Sequence, residues 1–196
     1  TDAGVADVTV PITYMNSSAA LKAFVGDHGG AGCTPSNARA VLAWALGKGP
    51  GTKILFFPDQ HLGRNTGYQL GFQESDMQVW DPRLSVGGLD EVDIKAATLL
   101  LWKGHCSVHQ RFRPSHIAAF RARHPDGLVI VHPECSHEVV ELADQVGSTD
   151  FIIKAVDEAP AGAALAIATE IHLVQRLAAE HPDLTIASLD PLICPC

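Results

Sequence analysis

Short apolar runs rich in β-branched residues recur along the chain, separated by segments whose apolar positions return every three or four residues. Runs at 8–15, 53–57, 77–80, 98–102, 128–132, 151–153, 163–168 and 184–189 predict short buried strands. Segments 18–25, 36–46, 61–70, 114–123, 137–146 and 170–179 predict amphipathic helices. Thr34 or Ser36 is placed to cap the second helix, and Gly51 and Gly127 mark breaks. The strand runs are nearly continuous in apolar character rather than alternating. That is the mark of parallel sheets covered on both faces, so the expected fold is α/β, built as three-layer αβα units with short parallel sheets.

One pattern repeats. His124-Pro125-Asp126 and His181-Pro182-Asp183 each end a helical segment and precede an apolar run. A shared way of stopping a helix is sufficient cause, because proline cannot continue one. Sites in such folds gather at the carboxyl ends of strands. Tyr14-Met15-Asn16-Ser17 follows the first strand run, His105-Cys106 the run ending at Trp102, and Glu134-Cys135 the run ending at His132. Ser148-Thr149 precedes a predicted strand, Thr169-Glu170 follows one, and Cys194 and Cys196 lie beyond the last. Polar and soft side chains are therefore concentrated where loops converge.

Composition narrows the choice. Hydrophobic residues make up 46% and charged residues 18% of the 196, ample for a buried core. The net charge of −8 argues against nucleic acid as partner, since phosphate backbones need clustered Lys and Arg. No apolar run approaches the roughly 20 residues of a membrane span, and no secretory signal is visible. Five irregularly spaced cysteines do not make a disulfide framework and favour a reduced, metal-binding use in the cytoplasm. With no initiator Met, and ending on Cys196, the sequence reads as a piece of a longer protein.

The chemistry centres on Trp102-Lys103-Gly104-His105-Cys106-Ser107-Val108-His109, which carries a thiol between two imidazoles. A lone cysteine is commonly a small buried apolar group; the flanking histidines favour a metal, either zinc or an iron–sulfur cluster. In Cys194-Pro195-Cys196 both sulfurs rarely reach one small centre, so one thiol binds and the other is its neighbour. His132 and Glu134, two apart on an extended segment, point to one side and suit joint contact with a ligand. Partial burial of Glu134 would perturb its pKa toward acid–base use. Tyr14 and Asn16 likewise share a strand face, and Ser17-Ser18 can open a helix that attracts an anion. Cys33-Thr34-Pro35-Ser36-Asn37 is a second possible anion cradle, without a phosphate-loop lysine. Of the other histidines only His61 is held in reserve.

Taken in order, Thr13-Tyr14-Met15-Asn16-Ser17-Ser18, Cys33-Thr34-Pro35-Ser36-Asn37, Phe57-Pro58-Asp59-Gln60-His61-Leu62-Gly63, the Cys106 run, His132-Pro133-Glu134-Cys135, Gly147-Ser148-Thr149 and the terminal Cys-x-Cys closely resemble the quinolinate synthase family. The resemblance implies a cytoplasmic step of NAD biosynthesis. Iminoaspartate, supplied by aspartate oxidase or dehydrogenase, condenses with dihydroxyacetone phosphate to give quinolinate, phosphate and water. It also implies a 4Fe–4S cluster on three cysteines, with one iron open as a Lewis acid, and three α/β units around a pseudo-threefold axis. Two of those units are expected here, at 1–102 and 103–196.

By the same resemblance, Cys106 and Cys196 are cluster ligands, with Cys194 second to Cys196. Tyr14, Asn16, His132, Glu134 and Thr149 contact substrate, Glu134 shuttles protons, and His109 lines the cavity as a second catalytic residue. The family's third cysteine belongs upstream of the Tyr-x-Asn motif and is absent from these residues, as is the first unit. Pro35 stands where the family has Ser, so the anion contact there falls to Ser36. A fragment with two cluster thiols is expected to hold a cluster poorly and to be inactive alone. The rival readings are a zinc hydrolase using Cys106, His109, a terminal thiol and Glu134, and a non-catalytic α/β module binding a phosphorylated metabolite.

Overall fold

The apolar runs pair in parallel, and they do so in two separate sheets. The structure is a computed structural model that describes residues 4–190, and the chain divides into two compact units, Thr1–His105 and Cys106–Cys196. The predicted Cys194 and Cys196 lie outside the described residues.

In the first unit β1 (Thr9–Tyr14), α1 (Ala19–Asp27), β2 (Ala31–Cys33), α2 (Ala38–Leu46), β3 (Lys53–Phe57), α3 (Gln60–Gln69), β4 (Met77–Trp80), α4 (Glu91–Ala96) and β5 (Leu99–Trp102) follow one another. The strands form a parallel sheet in the order β2-β1-β3-β5-β4. Val10 pairs with Ile54 and Ile12 with Phe56, so their side chains share a face with Leu99 and Leu101. Leu42, Ala45 and Leu62 of α2 and α3 close over that face. Helix α3 comes close because Gly63 lets it: a Cβ there would lie 2.6 Å from Leu101 Cδ2 and 2.7 Å from Phe56 Cδ1. On the opposite face Leu100 packs with Ile94 of α4, against Leu55 and Trp80.

The second unit runs α5 (Pro114–Arg123), β6 (Leu128–Val131), α6 (His137–Leu142), β7 (Gln145–Val146), α7 (Thr149–Asp157), β8 (Ala164–Ala168), α8 (Ile171–Glu180) and β9 (Thr185–Ser188). Its parallel sheet has the order β7-β6-β8-β9. Val129, Val131, Ala166 and Ala168 face α5 and α6, whereas Ile130, Leu165 and Ile167 face α7 and α8. Burial on both faces explains why these strands read as unbroken apolar runs. No described helix is long and apolar enough to cross a membrane.

Several expectations are corrected. Residues 151–153 belong to α7, not to a strand; Ile152 and Val156 form its buried stripe, four residues apart. The helix expected at 137–146 stops at Leu142, and the chain turns into β7, held by Val129 N–H donating to the Asp144 carboxylate at 2.7 Å. Neither Thr34 nor Ser36 caps α2. Asn37 holds the cap position, and its Oδ1 accepts from the Thr34 N–H at 2.7 Å instead. Elsewhere Ser18, Asp59, Asp90, Ser148 and Glu170 cap their helices through side-chain oxygens.

Candidate functional site

Parallel strands put every strand-to-helix loop of a sheet at one edge, and each unit uses that edge for its polar residues. In the second unit the chain enters through Cys106 and a 3-10 turn at His109–Arg111. Residues His132 to Glu134 follow β6, Thr169 follows β8, and Asp190 follows β9. These residues meet.

A thiol sulfur, an imidazole nitrogen and a carboxylate oxygen from Cys106, His109 and Glu134 lie within 4.8 Å of one another. Glu134 is 5% exposed, and its Oε2 stands 3.1 Å from His109 Nδ1 and 3.3 Å from His132 Nδ1. The two imidazoles stack, with centroids 4.5 Å apart and planes 17° off parallel. Behind them Thr169 Oγ1 lies 3.4 Å from His109 Nε2. The Glu134 backbone N–H also points at His132 Nδ1, at 3.3 Å.

Burial controls the charges here. It pushes the Glu134 carboxyl above its ordinary range, with His132 opposing the rise. It also lowers His132 to about 4, helped by the neighbouring His109 and opposed by Glu134. A carboxyl held toward its neutral form by burial is a candidate for acid–base work.

The thiols differ in kind. Cys106 is half-buried at the site, where it packs against the core of the second unit. Cys135, one residue past Glu134, is fully buried and directs its Sγ to the Ala168 carbonyl at 3.7 Å. Cys33 lies in the core of the first unit, where burial pushes its thiol up to about 12. A soft thiol beside nitrogen and oxygen donors is a donor set that accepts a transition metal; the two core cysteines offer no such access.

Sequence reasoning placed Thr169 at a strand end without giving it a role, and missed Asp190. Thr169 backs the His109 ring, and Asp190, 6% exposed, accepts from Arg111 Nε at 3.2 Å, tying the His109 turn to the end of β9. Thr149, expected at the site, is exposed at the first turn of α7, on the same sheet edge. In the first unit Asn16 Nδ2 donates to the buried Tyr14 hydroxyl at 2.9 Å, so the Tyr-x-Asn pair acts as one polar group beyond β1. Ser36 is exposed ahead of α2. At the same edge Asp81 accepts from Arg83 at 2.7 Å and Lys103 at 2.9 Å, and these cations hold its carboxyl well below the usual carboxylate range. Gly104 seats the following loop, for a Cβ there would lie 2.1 Å from the Pro58 carbonyl oxygen.

The family model described as "Quinolinate synthetase A protein" matches residues 3–196. The chain belongs to this family. Curated relatives agree: the quinolinate synthase of Corynebacterium glutamicum is 56% identical over 190 residues, covering 97% of this chain and 48% of that protein. That of Bacillus subtilis is 54% identical over 192 residues, 97% of this chain and 51% of the relative. That of Rhodopirellula baltica is 52% identical over 188 residues, 95% and 47%. The chain thus spans about half the length of the curated relatives it matches. Quinolinate synthases imply an iron–sulfur centre, and the accessible thiol of Cys106, beside His109 and Glu134, fits a role in holding one.

Proposed function

We propose that this chain is part of a quinolinate synthase, which condenses iminoaspartate with dihydroxyacetone phosphate to quinolinate, phosphate and water. The observation that carries the reading is the convergence of Cys106, His109 and Glu134 in a chain of this family. Cys106 and Cys196 hold a 4Fe–4S cluster, with a third thiolate supplied from the remainder of the longer protein. When bound, the cluster supplies a Lewis acid that polarises a substrate oxygen.

The chain's own residues do the rest. Tyr14 and Asn16, already hydrogen-bonded to each other, present one donor group to a substrate carboxylate. Ser36 and Thr149, both exposed at strand-end loops, bind the anionic parts of the substrates. Neutral His132 orients substrate, while Glu134 moves protons at Oε2, its carboxyl poised by burial. His109, between Glu134 and Thr169, keeps that carboxyl in place and passes its proton on. The reaction belongs to NAD biosynthesis in the cytoplasm, with iminoaspartate supplied by aspartate oxidase or dehydrogenase. Holding two of three cluster thiols, the 196-residue chain is inactive by itself.

The test is quinolinate formation by the full-length protein and its Glu134→Gln variant. Loss of a positioned proton carrier lowers kcat by roughly 10²–10⁴-fold while bound iron is unchanged. A variant of undiminished kcat removes Glu134 from the chemistry. The same mixed donor set suits a single zinc ion and hence a hydrolase; zinc in place of iron and sulfide in anaerobically purified protein would establish that reading instead.

A further inference from the structure

The 3-10 turn that carries His109 meets the site through its imidazole and meets the end of β9 through an ion pair that the chemistry above leaves unused. Between β5 and α5 the chain forms no helix or strand other than this turn, His109–Arg111. Its backbone is closed by Gln110 N–H donating to the Cys106 carbonyl at 3.0 Å and Arg111 N–H donating to the Val108 carbonyl at 3.1 Å. Val108 and Phe112 are buried in the core of the second unit. His109 turns to Glu134 and Thr169, and Arg111, two residues on, reaches Asp190.

Thr169 and Asp190 stand level with each other. Strands β8 and β9 are neighbours, with Ile167 in register with Ser188, and each of the two residues lies two positions further on. The sheet edge therefore holds the turn at two points, the His109 ring and the Arg111 guanidinium. The Asp190 point is anchored in the sheet: Leu189, itself buried, donates its N–H to the Ile167 carbonyl at 3.0 Å, and Ser188 Oγ donates to the Asp190 carbonyl at 2.8 Å. The Asp190 carboxylate is buried, and a buried charge needs a partner. Arg111 keeps 33% of its side chain exposed. An ion pair with so open a member adds little to global stability. Its effect is on where the turn sits.

We propose that Asp190, acting through Arg111, is a positioning residue that holds the Cys106–His109 turn, so that the Cys106 thiol and the His109 imidazole stay against the Glu134 carboxylate. The use of this arrangement rests on the activity proposed above, whereas the contact itself does not. Unequal burial chooses the variant. Without Asp190 the guanidinium turns to water, whereas loss of the Arg111 charge strands a buried carboxylate.

The test is iodoacetamide labelling of the metal-free full-length protein, resolved by residue with mass spectrometry, for the parent, Asp190→Ala, Asp190→Asn and Arg111→Lys. Cys106 reports the turn, and the core thiol Cys135 reports the fold of the same unit. Asp190→Ala should raise the Cys106 rate severalfold and leave Cys135 as in the parent. Asp190→Asn keeps an acceptor for Arg111 without the charge, so its Cys106 rate should stay near that of the parent. Arg111→Lys keeps the charge but loses the planar fork; it should raise the rate less, and it serves where Asp190→Ala also exposes Cys135. After anaerobic reconstitution, Asp190→Ala should lose iron to a chelator faster than the parent. An unchanged Cys106 rate, or iron loss at the parental rate, overturns the proposal. So does a Cys135 rate that rises in both Asp190→Ala and Arg111→Lys, since the pair then holds the whole fold. An Asp190→Asn rate equal to that of Asp190→Ala overturns it too, since the missing charge then acts on the thiol directly. Glu134→Gln keeps the two readings apart: undiminished turnover there removes the proposed chemistry and leaves the labelling difference standing.

Discussion

Glu134 and His132 are both displaced from their ordinary titration by burial, in opposite directions, and each leaves a signature in stability. With its pKa raised above the unfolded value of 4.5, Glu134 favours the folded state most below that pH. The contribution is lost as pH rises through the folded value. With its pKa lowered from 6.5 to about 4, His132 contributes stability that is complete above 6.5 and lost as pH falls through 4. In metal-free protein, Glu134→Gln should therefore gain midpoint relative to the parent as the pH is raised from 4.5, and His132→Gln should gain as it is lowered from 6.5. Thermal melts across pH check both signs; flat differences would mean that neither group is charged differently in the folded chain. The four residues Cys106, His109, His132 and Glu134 were legible in the sequence because each stands in a short polar run just past an apolar one. Thr169 was legible as a strand-end residue but its partner was not, and Asp190 was not legible at all, because they reach His109 and Arg111 across 60 and 79 residues of chain, and spacing carries no sign of such contacts.

At the level of elements, hydrophobic period found β3 and β4, since each is apolar at all but one position and occupies the residues it picked out. It failed where a segment was short or mixed. The Phe-Ile-Ile run at 151–153 satisfies either period over three residues, and only the buried pair Ile152 and Val156 decides for a helix. Edge strands β2 and β7, with three and two residues, have too little side chain to pattern. Glycine spacing carries packing information of its own. Gly63→Ala forces a methyl into Phe56 and Leu101, an overpacking that costs about 1–3 kcal/mol; the gain in helix propensity offsets at most about 1 kcal/mol. Gly26 of α1 has nothing within 4 Å of its added Cβ, so Gly26→Ala should stabilise by up to about 1 kcal/mol. Urea midpoints should thus move in opposite directions for two identical substitutions. Movement in the same direction would contradict the packing of α3.

Over the whole molecule, strand-then-helix order produced two parallel sheets, and each sheet delivers its polar residues to the carboxyl edge. Family membership and the Cys106–His109–Glu134 cluster together support the proposal that Cys106 binds iron. Iron and acid-labile sulfide analysis of the anaerobically reconstituted full-length protein, beside its Cys106→Ser variant, tests this most directly. The parent should carry about four of each per chain, and the variant should lose most of both. A Cys106→Ser protein that keeps the full complement would contradict the account.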